Sequence, residues 1–160
     1  MDNLRKLINE LESEKVKIQE RRDYWNNQLR DILRTQLKYY VENIKSDWYV
    51  DFNNNKTNYE TVSLAFGNRP SGIFDREEGR HLSLIGGALH FSQIYNGKIF
   101  IWIEYPYIED LSYHDPSQKG LKTLEPIELT EEVVLNVVED FIRIIIESEN
   151  RERQLIGFKS

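Results

Sequence analysis

The residues best suited to acid-base chemistry or metal binding are the histidines His81, His90 and His114, with Glu104 and Asp110 as carboxylate partners. His81 and His90 are nine residues apart, so on one flat strand they face opposite sides of the sheet. Only a kink or a turn between them would bring them to the same side. The sequence contains no HExxH motif and no paired metal-ligand spacing. We therefore predict no metal site and no cofactor, and we expect the histidines to be structural.

An Asn96-Gly97 pair between two apolar-rich runs predicts a β-hairpin with a two-residue type I′ turn. The turn fixes the register of the hairpin, and the register decides which side chains share a face. In this register His90 lies beside the isoleucines of the second strand, whereas Glu104 lies on the other face. The predicted hairpin therefore separates the histidine from the carboxylate.

A competing hypothesis is an enzyme, namely a metal-assisted hydrolase or nuclease that uses Glu104, Asp75 and a histidine. A nuclease of the αβββαβ kind needs a buried Asp followed by Glu-x-Lys on a central strand, so that the carboxylates can hold Mg²⁺. Here the closest Asp is Asp51 or Asp75, and the lysine position holds Tyr105 or Pro106, so the motif is incomplete. Convergence of these side chains in one cleft would favour the enzyme, and their dispersal would remove it.

Aromatic and arginine side chains give a candidate surface for a small ligand, because aromatics with polar groups are common at binding surfaces. A third hypothesis is a protein that sequesters a small molecule or a nucleotide, with rings stacked on the ligand and an arginine at a phosphate. The long segment from Tyr107 to Pro126 shows little periodicity and is a second place to look for function. The candidate ligand-binding residues are Arg69, Arg76, Arg80, Trp102, Tyr105 and Tyr107.

A long helix is predicted from Asp2 to Ile44, because the segment lacks Pro and Gly and is rich in strong helix formers. Apolar residues recur at every seventh position, at Leu4, Leu11, Ile18, Trp25, Ile32 and Tyr39. The first four lie in a narrow seam with charged flanks, which is typical of a two-stranded coiled coil, and we predict them to bind a partner. Residues 1–25 should project from the domain, residues 26–150 should form its globular body, and residues 151–160 should be a tail.

The rest of the pattern predicts an α+β fold with an antiparallel sheet of four or five strands and a C-terminal helix packed across it. Alternation of period two indicates strands between residues 47 and 105, with residues 67–72 as a plain loop. Thr130 is a good N-cap residue. The helix that follows it is rich in Val and Ile and runs to about Arg151.

Composition narrows the functional classes. The chain has 160 residues, the usual size of one domain, and it has no cysteine, which excludes disulfides and thiolate chemistry and fits a reducing compartment. Residues 46–160 carry eleven Lys and Arg against nineteen Asp and Glu, and such an acidic body argues against nucleic-acid binding. The sequence shows no signal peptide and no apolar run of about 18 residues. We therefore expect a cytoplasmic protein without membrane contact.

Together these patterns predict a non-catalytic interaction module. It forms a homodimer through its N-terminal helix and binds a protein partner or a small ligand through its sheet or loops. The apolar seam supports the predicted dimer, because a long apolar stripe on a projecting helix needs a partner.

Overall fold

The computed structural model describes residues 1–44, 47–54, 59–111 and 118–150, and it confirms the α+β fold class. The N-terminal helix is continuous over 42 residues. It consists of α1 (Asp2–Tyr24), a five-residue π-helical turn (Trp25–Leu29) and α2 (Arg30–Asn43). The C-terminal helix, α3, spans Glu131–Asn150.

The strands form two antiparallel sheets. The main sheet has five strands in the order β1-β2-β5-β6-β8, as predicted in kind and number, and the second has three in the order β3-β4-β7. The strands are β1 (Tyr49–Asn53), β2 (Thr61–Ala65), β3 (Arg69–Asp75), β4 (Arg80–Ile85), β5 (Ala88–Gln93), β6 (Ile99–Glu104), β7 (Tyr107–Ile108) and β8 (Gln118–Leu124).

The small sheet was not expected, and the prediction of a plain loop at residues 67–72 was wrong because β3 begins at Arg69. Its register shifts between Pro70 and Phe74, where Gly72 takes a φ of +82°. A bulge of this kind lets a strand contain Pro and Gly, the residues that obscure the strand pattern in the sequence. Gly86 and Gly87 then connect β4 of the small sheet to β5 of the main sheet.

The core lies between one face of the main sheet and the helices. Alternate residues of the central strands point into it, as a half-covered sheet requires, and α2 and α3 cover them. Residues with no exposed surface include Val62, Leu64, Leu89, Phe91, Ile99, Ile101 and Ile103 from the sheet, and Trp25, Leu33, Leu37, Val137 and Phe141 from the helical segments. Removal of one such large side chain, for example by Phe141→Ala, costs about 3–5 kcal/mol.

The π turn explains why the seven-residue column does not continue along one face. A π turn holds one residue more than an α turn, so the buried positions move by one. Leu33 is fully buried, whereas Ile32 is 53% exposed, and Tyr40 packs on the core, whereas Tyr39 is exposed. Glu60 anchors the turn by accepting hydrogen bonds from Trp25 Nε1 at 3.0 Å and from the Arg30 guanidinium at 2.7 Å.

The end of α1 rests on the β5–β6 hairpin through Arg21. Its guanidinium donates to Glu125 and also to the carbonyl oxygen of Asn96 at 3.1 Å. Upstream of this contact every residue from 1 to 17 is exposed. At 1.5 Å per residue this free part of the helix extends for about 25 Å.

At the other end of the chain, Thr130 caps α3 as predicted, because its Oγ1 accepts a hydrogen bond from the Val133 N–H at 3.3 Å. The predicted tail, residues 151–160, and His114 lie outside the described residues. No helix in the described part of the chain has both the length and the apolar character needed to cross a membrane.

Candidate ligand-binding cleft on the outer sheet face

The β5–β6 hairpin has a register one residue away from the predicted one. Gln93 pairs with Ile99, Ile94 N–H donates to Lys98 O, and Gly97 N–H donates to Ile94 O. The loop therefore has three residues and ends on Gly97, whose φ is +83°, so the prediction of a two-residue turn was wrong. A shift of one residue exchanges the two faces of a strand.

Contact with α1 accounts for the longer loop. A Cβ placed on Gly97 would lie 2.6 Å from Arg21 Cβ and 3.0 Å from the Ile18 carbonyl oxygen. The backbone of the hairpin thus approaches the helix more closely at Gly97 than any residue with a Cβ would allow. The Asn96 side chain caps the loop by accepting from Lys98 N–H at 3.0 Å.

The corrected register places the polar residues of the main sheet in one row on the face away from the helices. Asp51 pairs with Ser63, Ser63 with His90, and His90 with Trp102. Glu104 follows on the same face of β6, two residues after Trp102. The expectation that His90 and Glu104 lie on opposite faces was therefore wrong.

His90 is the centre of this row. Its Nδ1 lies 2.6 Å from Ser63 Oγ, and its ring stacks on Trp102 with the centroids 4.1 Å apart. Its Nε2 lies 3.1 Å from Glu104 Oε1, but out of line with the ring N–H, so that Nε2 makes no well-directed hydrogen bond. The Nε2–Glu104 contact is therefore one of proximity and not a hydrogen bond.

The electrostatics of the row keep His90 neutral. Burial lowers the pKa of His90 below its ordinary value of 6.5, and this effect outweighs the opposing charges of Glu104 and Asp51. At pH 7 the imidazole therefore carries no charge beside the two carboxylates.

A second set of hydrogen bonds fixes the Trp102 indole. Trp102 Nε1 donates to Ser92 Oγ at 3.0 Å, Ser92 Oγ lies 2.8 Å from Thr61 Oγ1, and Thr61 Oγ1 donates to the Tyr59 carbonyl oxygen at 2.8 Å. The end of β5 and the start of β2 thus hold the ring in one orientation. An aromatic face fixed in advance loses little entropy when a ligand stacks on it.

Around these groups the sheet forms a cleft of about 650 Å³, within the roughly 300–1,000 Å³ typical of small-ligand sites. Its lining combines hydroxyl, amide and aromatic groups with two carboxylates, and the described residues contribute neither Lys nor Arg to it. The lining residues are Asp51, Asn53, Tyr59, Thr61, Ser63, His90, Ser92, Ile94, Phe100, Trp102, Glu104 and Gln118. Most of them are single polar residues within strands, which no sequence motif marks.

Of the predicted ligand-binding residues, only Trp102 lines this cleft. Tyr105 packs partly against the core, and Tyr107 is about half exposed on the small sheet. Trp102 and the two tyrosines are therefore not brought together in one pocket.

The three predicted arginines lie away from the cleft. Arg69 lies over the Phe66 ring, 5.0 Å from its centroid, and burial lowers its pKa. Arg76 is exposed in the turn between β3 and β4. Arg80 donates to Glu78 at 2.8 Å and also pairs with Glu109 and Asp110, and these acidic neighbours raise its pKa. A guanidinium already paired with three carboxylates is a poor phosphate ligand.

The predicted partner-binding residues divide into two groups. Leu4 and Leu11 are 51% and 56% exposed, and Ile18 is half-buried where α1 reaches the hairpin. Trp25 is fully buried in the domain's own core and is not accessible to a partner. Leu7 and Ile8, at helical spacing between Leu4 and Leu11, are equally exposed, so the stripe is a patch of four residues.

The structure does not assemble the hydrolytic set considered from the sequence. Asp75 accepts hydrogen bonds from the N–H groups of Glu77 and Glu78 and lies in the small sheet, whereas Glu104 lies in the main sheet. Among the described residues no three His, Asp or Glu side chains are placed to hold a metal ion.

Ser63, His90 and Glu104 do resemble the order of groups in a nucleophilic site. However, β2 is hydrogen-bonded to strands on both sides, so the ladder uses the backbone N–H groups around Ser63. Stabilisation of an oxyanion needs such donors to be free and aimed at the reacting atom. The row of Ser63, His90 and Glu104 is therefore better suited to holding the His90 ring in place than to acyl transfer.

Comparison with known proteins gives no match to a protein-family model, to a curated protein or to a solved structure. Two surfaces of this fold are therefore the candidates for function. They are the exposed patch on α1 (Leu4, Leu7, Ile8 and Leu11) and the cleft on the outer face of the main sheet.

Proposed function

We propose that the protein is a non-catalytic binding module that self-associates through the α1 patch and takes up a small ligand in the outer-face cleft. The observation that carries this proposal is the exposure of α1. None of its 23 residues is buried, although Leu4, Leu7, Ile8 and Leu11 are each about half exposed on a part of the helix that projects into solvent.

A second copy of the chain is the occupant that the charges favour. Residues 1–17 hold four basic and four acidic side chains, so the projecting part of the helix is neutral, whereas the whole chain carries −6. Two such helices can pair without net repulsion. The projection of about 25 Å exceeds the screening length of about 8 Å at physiological salt, so the acidic bodies do not oppose the pairing strongly.

Partial burial of the patch supplies the driving force. Each half-exposed Leu or Ile can gain on the order of 1 kcal/mol when a partner helix covers it, and the same patch is offered by both chains, as a two-fold symmetric contact requires. The helix is also pre-formed, because α1 continues through the π turn into the anchored α2. Pre-formation removes the cost of ordering the helix on association.

Light scattering over a concentration series tests the self-association. We expect a mass of twice 19.1 kDa at micromolar concentrations, falling to the monomer mass on dilution. A monomer throughout the series would remove the self-association half of the proposal and leave the cleft to be tested separately.

The cleft supports ligand binding better than it supports the two alternatives drawn from the sequence. The hydrolase hypothesis needs carboxylates that converge on a metal ion, but Asp75 lies in a different sheet from Glu104. Among the described residues, Asp51 included, no three His, Asp or Glu side chains are placed to hold one. The nucleotide hypothesis needs an arginine at the phosphate, and no arginine is among the described residues that line the cleft. A fixed indole, neighbouring hydroxyls and two carboxylates instead suit the reversible binding of a small molecule.

A further inference from the structure

The charge of the outer-face cleft restricts the ligand. Asp51 stands on β1 and Glu104 on β6, so the two carboxylates flank the central strands, and His90 lies between them on β5. Within the described part of the chain, neither Asp51 nor Glu104 makes an ion pair with Lys or Arg, and the titratable group beside Glu104 is His90. Because His90 is neutral at pH 7, no described residue of the site neutralises either carboxylate.

The aromatic lining restricts the ligand a second time. Trp102, Phe100 and Tyr59 all border the cleft, and the indole of Trp102 is held by Ser92. Opposite Trp102 on the edge strand is Gly120, where a Cβ would meet the Phe100 ring at 3.0 Å. The glycine thus lets Phe100 lie over the edge strand. The negative face of an aromatic ring attracts cations and stacks on flat groups.

We propose that the cleft binds a small organic cation with a flat ring, its charge between Asp51 and Glu104 and its ring against Trp102. This assignment rests on the proposed ligand-binding role of the cleft. Both features of the site favour such a ligand, whereas an anion of the same shape would meet two carboxylates and no Lys or Arg among the described lining residues.

Three compounds with the same indole ring test the assignment: tryptamine, which is a cation at pH 7.5, the neutral alcohol tryptophol, and the anion indole-3-acetate. They are titrated into ¹⁵N-labelled full-length protein, and the tryptophan side-chain N–H signals are followed by NMR. Trp102 reports the cleft, and Trp25, which is fully buried and bonded to Glu60, reports any general disturbance. A Trp102→Phe variant assigns the first signal.

We expect tryptamine to shift the Trp102 signal and leave Trp25 unchanged, and to bind at least about fivefold more tightly than tryptophol. Indole-3-acetate should bind most weakly. Asp51→Asn and Glu104→Gln should each weaken tryptamine by about twofold to fivefold while leaving tryptophol unchanged, since only the charged ligand uses the carboxylates. Asp140→Asn, on the exposed face of α3, is the matched charge control and should change nothing.

The outcomes separate this assignment from the proposed function. If tryptophol or indole-3-acetate shifts Trp102 as strongly as tryptamine, or the carboxylate variants keep the full preference for tryptamine, the cleft remains a ligand site and the cation assignment is overturned. If no compound shifts Trp102 at millimolar concentration, the ligand-binding half of the proposed function is overturned with it. The mass measured by light scattering reports the self-association independently.

Discussion

Arg21 and Glu125, which are 104 residues apart in the chain, form a two-point ion pair with Nε–Oε2 and Nη2–Oε1 distances of 2.7 and 2.9 Å. The planar geometry of a guanidinium on a carboxylate fixes orientation as well as distance. The pair joins the last full turn of α1 to the segment that precedes α3, where Glu125 also closes a capping box with Glu128. The direction in which the free part of α1 projects is therefore set by this contact.

Arg21→Gln should loosen the end of α1. Because Glu125 is about one-third exposed, solvent screening limits the loss of folding free energy to about 1 kcal/mol or less. Amide hydrogen exchange at residues 18–24 should become faster. Arg143→Gln, which removes exposed pairs on α3, is the control and should leave that exchange unchanged. Equal exchange in both variants would mean that the pair does not hold the helix.

The same pair has a signature at low pH. The hydrogen bond from Arg21 holds the pKa of Glu125 below its ordinary value of 4.5. A depressed carboxyl pKa stabilises the fold above that ordinary value, and the contribution is lost as the pH falls through the folded pKa. In Arg21→Gln, the free energy of unfolding should therefore fall slightly less steeply with decreasing pH below 4.5. Circular dichroism measures this fall. An unchanged slope would contradict the assignment.

Charge placed in the α1 patch should separate the dimer. Leu7→Asp combined with Leu11→Asp introduces two carboxylates at i and i+4 on one helix face, and each should weaken association about tenfold or more. Light scattering should then give the monomer mass, with the sheet signal in circular dichroism retained. Ile146→Asp, on a helical residue that is also 54% exposed, should remain dimeric. A double variant that stays dimeric would place the contact elsewhere.

Burial of His90 should make the fold less stable in mild acid. The unfolded histidine takes up a proton near pH 6.5, whereas the pKa of folded His90 is lowered chiefly by burial, with Asp51 and Glu104 opposing. As the pH falls through 6.5, the unfolded state binds the proton first and the free energy of unfolding decreases.

Urea unfolding between pH 7.5 and 5.5 measures this effect. The wild-type midpoint should fall across the range, and His90→Gln should flatten the dependence. His81→Gln is the control because His81 is an exposed residue of the small sheet, and it should leave the slope as it is. An unchanged pH dependence in His90→Gln would show that burial of His90 does not cause it.

Gly97→Ala should lower the free energy of unfolding more than Gly79→Ala, although both glycines have a positive φ. Gly97 and Gly79 both have positive φ, +83° and +66°, but only at Gly97 does an added Cβ collide with α1. At Gly79 it meets nothing within 4 Å. Both changes should cost about 1 kcal/mol for the backbone strain. The collision should add about 1–3 kcal/mol to the loss of stability at Gly97. Chemical denaturation measures both losses, and equal losses in the two variants would show that the helix is not packed on the loop.

The sequence was informative where local preferences and the fold agree. The absence of Pro and Gly from residues 2–44, the Thr130 cap and the apolar character of α3 led to the correct helices, and the strand alternation led to the correct fold class. Each of these signals is contained within a few neighbouring residues. A long helix and a sheet covered by a second helix could therefore be predicted without tertiary information.

The cleft could not be predicted, because it depends on a single residue of register. Asn96-Gly97 favours a two-residue turn when only the hairpin is considered, but α1 packs against Gly97 and the loop takes three residues. The contact partner, Arg21, lies more than seventy residues earlier in the chain. If this contact is not known, the sequence places His90 and Glu104 on opposite faces of the sheet. The cleft that contains both of them is then not predicted.

The π turn determines how the chain tolerates changes of length. Loss of Asn26 or Asn27 would convert the π turn to ordinary α-helix, because the π turn contains one residue more than an α turn. The relative rotation of α1 and α2 about the helix axis would then be unchanged. Straightening the turn at constant length would instead rotate residues 1–24 by about 100°, turning Arg21 from Glu125. A single surplus residue thus determines which face of its projecting helix one molecule presents to another.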